Sequence, residues 1–398
     1  MKKIASYRFF AIFAFIIIAA CGRAQTPPAD PAPSETARTQ RQAVPQPADR
    51  YFDTTGAPVG VVRLTVFYPS VGSIQDLLAL RKEGFMPAEG IEVVGVFHAK
   101  EKTNYAAAKN FVAKNDLTWF HFHGVTADLG VETLYKNNGA TADLKKIFDL
   151  SDGIIFFGGP DIPPAAYGEK TELQTRIEDP YRHYLDLTAV FHLLGGSQDE
   201  ASKGFLAGRP GFPILGICLG MQTMNAGTGG TLVQDVWTDI YGARYVEDVI
   251  ALGRPGWHTN PHPRLFPLDR SLLSYMLHPI ELLPNGKFTD AMGFKADDHP
   301  YIMSAHHQSA GRIGKGFRPA ATSLDKKVVE AIDHERYPNV LGVQFHPEFD
   351  MLWDASPKYK IAPSDAELFG CKTYLEQHPP SWDFHQKIWA WFFSALKK

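Results

Sequence analysis

The sequence has little cysteine, little net charge and no long apolar run in its body. Three cysteines in 398 residues, Cys21, Cys218 and Cys371, allow one disulfide at most. A formal net charge of −3, from 40 basic and 43 acidic residues, offers no basic stripe, so nucleic acid is not an expected partner. The glycine cluster Gly227-Thr228-Gly229-Gly230 lacks the Lys-Ser/Thr of a phosphate loop and reads as a turn. There is no internal repeat. What is present, 44% hydrophobic and 21% charged residues, is ordinary globular composition.

The N-terminus differs from the rest. Lys2, Lys3 and Arg8 precede an apolar run, Phe9 to Ala20, that falls short of the roughly 20 residues of a membrane-spanning helix. A basic start, a short apolar stretch and small residues read as a secretory signal over residues 1–20. Its end, Ile18-Ala19-Ala20-Cys21-Gly22, resembles a bacterial lipobox, which implies lipidation of Cys21; the alternative is a plain signal peptide with an incidental cysteine. Loss of Lys2, Lys3 and Arg8 lowers 40 basic residues to 37 against 43 acidic, a net of −6, so the lipid rather than surface charge is the expected membrane contact. Residues 21–50, with six prolines and Val44 as their one large apolar residue, read as a disordered tether. Residues 51–398 read as one domain in the cell envelope, facing the periplasm or the extracellular side. No feature sets an oligomeric state.

Within that domain, apolar runs alternate with amphipathic stretches. Strands are expected at 61–68, 91–98, 117–122, 153–157 and 213–217, with helices at 73–83 (Ser73 as N-cap) and 104–115. Nearly continuous apolar strands separated by helices predict an α/β fold: a mostly parallel central sheet covered on both faces. Further strands at 328–333 and 340–345 flank a turn and predict an antiparallel pair; 382–396 reads as a closing helix. The segment 250–300, rich in Pro and His, carries no clear pattern.

Two motifs carry chemistry. Pro213–Ile217 runs into Gly216-Ile217-Cys218-Leu219-Gly220, a strand ending in Gly-x-Cys-x-Gly. This is the cysteine form of a nucleophile elbow, which holds the nucleophile at the carboxyl end of a sheet against a helix N-terminus that favours thiolate. The alternative is a structural cysteine in a Gly-rich turn. The second motif is His346-Pro347-Glu348. Residues two apart on an extended segment point the same way, so Glu348 can hold one imidazole nitrogen while the other faces a thiol; the alternative is a surface turn. A catalytic Cys218 must stay unpaired, which predicts Cys371 as a free thiol buried near the C-terminal helix. His121 and His123 alternate on one strand but have no third partner nearby and are not taken as metal ligands.

Together these motifs resemble the class I glutamine amidotransferase-like superfamily. Three further stretches resemble its γ-glutamyl hydrolase group, which includes γ-glutamyl-γ-aminobutyrate hydrolase: 158–169 (GGPDIPPAAYGE), 304–308 (SAHHQ) and 328–348 (VVEAIDHERYPNVLGVQFHPE). The resemblance spans roughly 150–350 and implies a flavodoxin-like sheet with antiparallel C-terminal strands. It implies Cys218 as nucleophile, His346 as base, Glu348 as its orienter, and backbone N–H groups of Gly159 and Leu219 as oxyanion hole. It also implies substrate contacts from Gly158, Gln222, His307 and Gln308, with no cofactor and no metal. Departures are Arg182-His183 where Arg-Asp is usual, Asp186 where Glu is common, Leu219 where Arg often follows the cysteine, and a Gly-rich insertion at 195–212. The implied activity is hydrolysis of γ-glutamyl amides through a thioester. The alternatives are a non-catalytic binding lipoprotein on the same fold and a glutamine amidotransferase subunit.

Overall fold

The computed structural model describes residues 49–57 and 59–396. The expected signal sequence, Cys21 and the expected tether up to residue 48 lie outside them. Asp49 and Arg50, read as the end of the tether, are bonded into the domain: Arg50 Nη1 donates to the Gly124 carbonyl at 2.7 Å and to Asp143 at 2.9 Å, and Asp49 pairs with Lys109. Among the described residues no helix is long and apolar enough to cross a membrane.

Twelve strands are described: β1 Val62–Phe67, β2 Ile91–His98, β3 Phe120–Val125, β4 Gly153–Phe156, β5 Ile214–Ile217, β6 Leu232–Val233, β7 Met276–Leu282, β8 Tyr301–Ser304, β9 Ser309–Ala310, β10 Phe317–Ser323, β11 Val329–His334 and β12 Val340–Val343. Ten form one sheet in the order β3-β2-β1-β4-β5-β12-β11-β10-β7-β8. From β3 to β12 every neighbour is parallel; from β12 to β8 every neighbour is antiparallel. This is the expected α/β sheet with antiparallel C-terminal strands.

Alternation along the parallel strands fills two cores. Leu64, Val66, Val93, Ile155, Leu215 and Ile217 face one side, and Val94, Val96, Ile154, Phe156 and Ile214 the other. The first face is covered by the helices Val71–Lys82, through Ile74, Leu77 and Leu80, and Ser381–Ala395, through Phe384, Ile388, Trp389 and Phe392. The second is covered by Thr141–Asp149, Pro180–Leu194 and Leu219–Gly227. Both faces are buried, which is why these strands read as near-continuous apolar runs.

Two local expectations shift. The first helix begins at Val71 with Ser70, not Ser73, as N-cap; the Ser70 hydroxyl accepts from the Ser73 N–H. Both serines have the right chemistry for the cap, and the choice falls on the one before the first helical turn. The third strand is displaced to Phe120–Val125, because Asp116 takes φ 51 and Leu117–Thr118 complete the turn out of the preceding helix.

The join between β5 and its helix is the tightest place in the sheet. A Cβ on Gly220 would lie 2.1 Å from the Phe156 carbonyl oxygen of β4, and one on Gly216 would lie 2.4 Å from Met224 Sδ. Glycine is required there by close approach of backbones. Gly220→Ala is expected to lower stability by at least about 2 kcal/mol, the cost of overpacking against an immovable carbonyl; a chemical-denaturation midpoint unchanged from the native chain would contradict that.

Candidate active site

β4, β5 and β12 are adjacent and parallel, so their carboxyl ends open at one edge, where α/β sheets place their ligands. β4 leads into Phe157-Gly158-Gly159, β5 into Cys218, and β12 through Gln344 into His346.

Cys218 has φ 52 and ψ −106, a conformation that a residue with a side chain rarely adopts. Such a position costs about 1–3 kcal/mol and persists only where neighbours determine it. Here the Cys218 N–H donates to the Val343 carbonyl of β12 at 2.7 Å, and its carbonyl starts the helix Leu219–Gly227. The side chain is 7% exposed, and Gln344 Nε2 stands 3.7 Å from its sulfur.

His346 is positioned by backbone and ring contacts. Its N–H donates to the Met303 carbonyl of β8, and its ring stacks on Phe349 with centroids 4.2 Å apart. Nδ1–H donates to Glu348 Oε1 at 2.6 Å, which leaves Nε2 as the free nitrogen. The Pro347 carbonyl between them accepts from the indole N–H of buried Trp389, so the closing helix braces this turn. Burial opposes charge on His346, but the Glu348 carboxylate and the Cys218 thiol outweigh it and hold the imidazole well above its ordinary range. A thiol, an imidazole and a carboxylate in series can move a proton off sulfur and onto a leaving group.

Gly158 and Gly159 turn beside this series. A Cβ on Gly158 would come within 2.9 Å of the His346 ring and 3.5 Å of the Cys218 Cβ. Arg182, fully buried on the helix Pro180–Leu194, lies beneath the turn. Its Nη2 donates to the carbonyls of Phe157 at 2.8 Å and Gly158 at 2.9 Å. In a trans peptide the N–H points opposite the carbonyl. With the Gly158 oxygen turned to Arg182, the Gly159 N–H faces away from it. The guanidinium also lies over the Tyr68 ring at 3.6 Å and pairs with Asp186 at 3.6 Å. Burial pushes the Asp186 carboxyl up to about 7, against the pull of Arg182. His183, the other departure, is fully buried and held well below its ordinary value by burial; neither ring nitrogen has a hydrogen-bond partner. Leu219 packs with Ile162, Ala166 and Leu187.

The residues expected to contact substrate separate into two groups. His307 lines a cleft of about 630 Å³ together with Asp161, Arg176, Glu178, Asp235 and Arg264. Its ring bridges Asp161 at 3.0 Å and Asp235 at 3.2 Å. Burial disfavours its charge, but these two carboxylates raise it to about 9, so it is an imidazolium at neutral pH. Gln222 and Gln308 are buried instead. The Gln222 amide donates to the Gln308 carbonyl and the Gln344 side chain, and the Gln308 amide donates to the Gln234 carbonyl. These two tie the 304–310 loop to the elbow helix from behind.

Asp76, on the helix Val71–Lys82, was not legible as a site residue. Burial, then the neighbouring Glu348, pushes its carboxyl up to about 8. No motif marks it; only the fold brings it to His346. Cys371 is unpaired and buried, its thiol pushed up to about 12 by burial. His121 stacks on Tyr51, and His123 accepts from the Phe52 N–H. Among the described residues the group with metal-ligand geometry is a different one, His258, His278, His306 and Glu330.

Comparison with known proteins shows the family. The family description "Peptidase C26" matches residues 92–348, nearly two thirds of the sequence. The chain belongs to the peptidase C26 family. It is 29% identical over 227 residues to the Lactococcus lactis "Putative glutamine amidotransferase-like protein YvdE", covering 57% of this chain and 78% of that one. It is 27% identical over 256 residues to the Mycobacterium tuberculosis "Putative glutamine amidotransferase Rv2859c", covering 62% and 70%. A crystal structure of a glutamine amido transferase from Methylobacillus flagellatus aligns with TM-score 0.39 and 12% identity over 85% of this chain and 96% of that one.

Asp76 is neutral below about pH 8 and anionic above it, when its charge adds to that of Glu348 beside His346. Asp76→Asn removes that charge and is expected to lower the pKa of His346. An NMR titration of the His346 ring checks this; an unmoved titration would show that the two groups are not coupled.

Proposed function

We propose that this member of the peptidase C26 family hydrolyses γ-glutamyl amide bonds through a thioester on Cys218. The observation that supports it most is the buried series Cys218, His346, Glu348, with the imidazole held by the carboxylate at 2.6 Å beside a strained elbow.

The Cys218 thiolate attacks the γ-carbonyl carbon, and the carbonyl electron pair moves onto oxygen. The N–H groups of Gly159 and Leu219 receive that oxyanion, an interaction worth about 3–4 kcal/mol per lost donor in comparable sites. The pair returns, the C–N bond breaks, and the His346 Nε2–H gives its proton to the departing amine. A water then passes a proton to His346 while its oxygen attacks the thioester. The C–S bond breaks, glutamate leaves, and the thiolate–imidazolium pair is restored. No cofactor enters these steps.

The cleft suits a glutamyl group. Asp161, Glu178 and Asp235 offer anionic partners for an α-ammonium, and Arg176 and Arg264 offer cationic partners for an α-carboxylate. The relatives' names favour glutamine, itself a γ-glutamyl amide, as one substrate; in an amidotransferase the same thioester would release ammonia to a partner. The N-terminal pattern supports anchoring by lipid on Cys21, with the domain in the cell envelope.

The test is turnover of glutamine, γ-glutamyl peptides and γ-glutamyl amines by the purified full chain, followed as free glutamate and as an acyl adduct by intact mass. Cys218→Ala is expected to abolish the adduct and lower turnover at least about 10³-fold. Absence of both adduct and turnover in the native chain would favour a binding protein. Growth of expressing cells with an alkyne-bearing fatty acid is expected to label the native chain but not Cys21→Ser; equal labelling of both would remove the anchor.

A further inference from the structure

Behind the wall of the cleft lies a group of side chains that the proposed hydrolysis does not use. His258 precedes the helix His262–Leu265, His278 sits on β7, His306 follows β8, and Glu330 sits on β11. All four are buried, with exposures of 0, 0, 3 and 0%. Their donor atoms lie within 4.8 Å of one another. His258 Nδ1 is 3.0 Å from Glu330 Oε1, His278 Nε2 is 3.9 Å from the same oxygen, and His306 Nε2 is 3.5 Å from Glu330 Oε2.

These atoms form no hydrogen bonds. Both Glu330 oxygens, both His258 ring nitrogens, His278 Nε2 and His306 Nε2 are buried without a partner. Native proteins keep few such groups, and each needs a reason. The tautomers are consistent with one. His306 Nδ1–H donates to the Gln308 carbonyl at 2.8 Å, and His278 Nδ1–H to the Pro279 carbonyl at 3.2 Å. Each Nε2 therefore presents a lone pair to its neighbours. Backbone carbonyls on the far nitrogen are the usual second layer of a metal-binding histidine.

We propose that His258, His278, His306 and Glu330 bind a divalent transition metal, with zinc as the best fit. Three imidazole nitrogens and one carboxylate oxygen are a zinc donor set. Bonds of about 2.0–2.1 Å in a tetrahedron separate ligand atoms by roughly 3.3 Å, and the nitrogen-to-carboxylate distances of 3.0–3.9 Å bracket that figure. One carboxylate and three neutral imidazoles carry a single negative charge, a donor set that a divalent cation can bind directly. Four protein ligands close the coordination sphere, which assigns the ion a structural role. It ties the 257–262 loop, β7, β11 and the loop after β8 to one point. His306 is bonded directly to His307, and Thr259 and Ala305 line the cleft beside them, so the ion fixes that wall.

The test is elemental analysis of the full chain purified without chelator from zinc-supplemented cells. About one zinc per chain is expected in the native protein and in Cys218→Ala, and under a tenth of that in His278→Ala and Glu330→Gln. Chelation is expected to lower the melting temperature, and zinc, not magnesium, to restore it. If the variants fail to fold, cobalt on the native chain decides. A four-coordinate site gives strong visible absorption with no thiolate charge-transfer band. Metal-free native protein whose melting temperature ignores both chelator and zinc would overturn the proposal and leave a proton-bridged His–Glu network. Metal lost in Cys218→Ala alone would place the ion on the thiol and overturn it equally.

Discussion

The architecture of the site depends on one contact, the first turn of the helix Leu219–Gly227 against the backbone of β4. Gly220 brings the helix to the Phe156 carbonyl, closer than any side chain permits. Because the helix starts that close, the chain leaving β5 has one residue in which to reverse, and Cys218 takes the strained turn at φ 52. The strain is held by ladders on both sides: β5 pairs with β4 and β12, and the Cys218 N–H is bonded to β12. The same approach sets the helix N-terminus beside the sulfur. Strand order then brings Gly158 and His346 to the same edge.

Charge is distributed around that edge in compensated pairs. A buried charge is tolerable only when paired and hydrogen-bonded. Glu348 and the Cys218 sulfur stabilise the imidazolium of His346; Asp76, next to them, is pushed up to about 8 first by burial and then by the Glu348 charge. Arg182 is spent on two main-chain carbonyls, the Tyr68 ring and Asp186, so its charge orients the Gly158–Gly159 peptide. The pair is built from residues four apart on one helix.

Much of the parallel half was legible because its strands are buried on both faces and their apolar runs are near-continuous; β2 falls at Ile91–His98 as read. The Gly-x-Cys-x-Gly and His-Pro-Glu motifs were legible because their chemistry is local: close approach demands bare glycine, and the orienter sits two residues from its histidine. The displaced β3 shows the limit, since Leu117 is apolar and buried but belongs to a turn. Gln222 and Gln308 read as pocket residues only through the family resemblance; in the fold both are buried, and their amides donate to the Gln308 and Gln234 carbonyls and to the Gln344 side chain. The His258, His278, His306 and Glu330 group left no local trace. Its members are 20, 28 and 24 residues apart, and two of them lie in a segment without periodicity. Only the antiparallel order β11-β10-β7-β8 collects them.

That antiparallel half links the two clusters through a single extended segment. Between β8 and β9 successive residues serve opposite sides: His306 faces the buried group, His307 bridges two carboxylates in the cleft, and Gln308 is buried again against Gln234. Alternation of this kind is the ordinary geometry of extended backbone, and here it couples an interior anchor to a binding surface across one peptide bond. His307 holds its charge only while Asp161 and Asp235 stay within hydrogen-bond reach, which requires the segment not to slide. The parallel strands fix where a carbonyl can be attacked, while the position of the cation facing the cleft is set by what holds His306 in place. On the proposed reading, chemistry and recognition are anchored by different halves of one sheet, joined at β12.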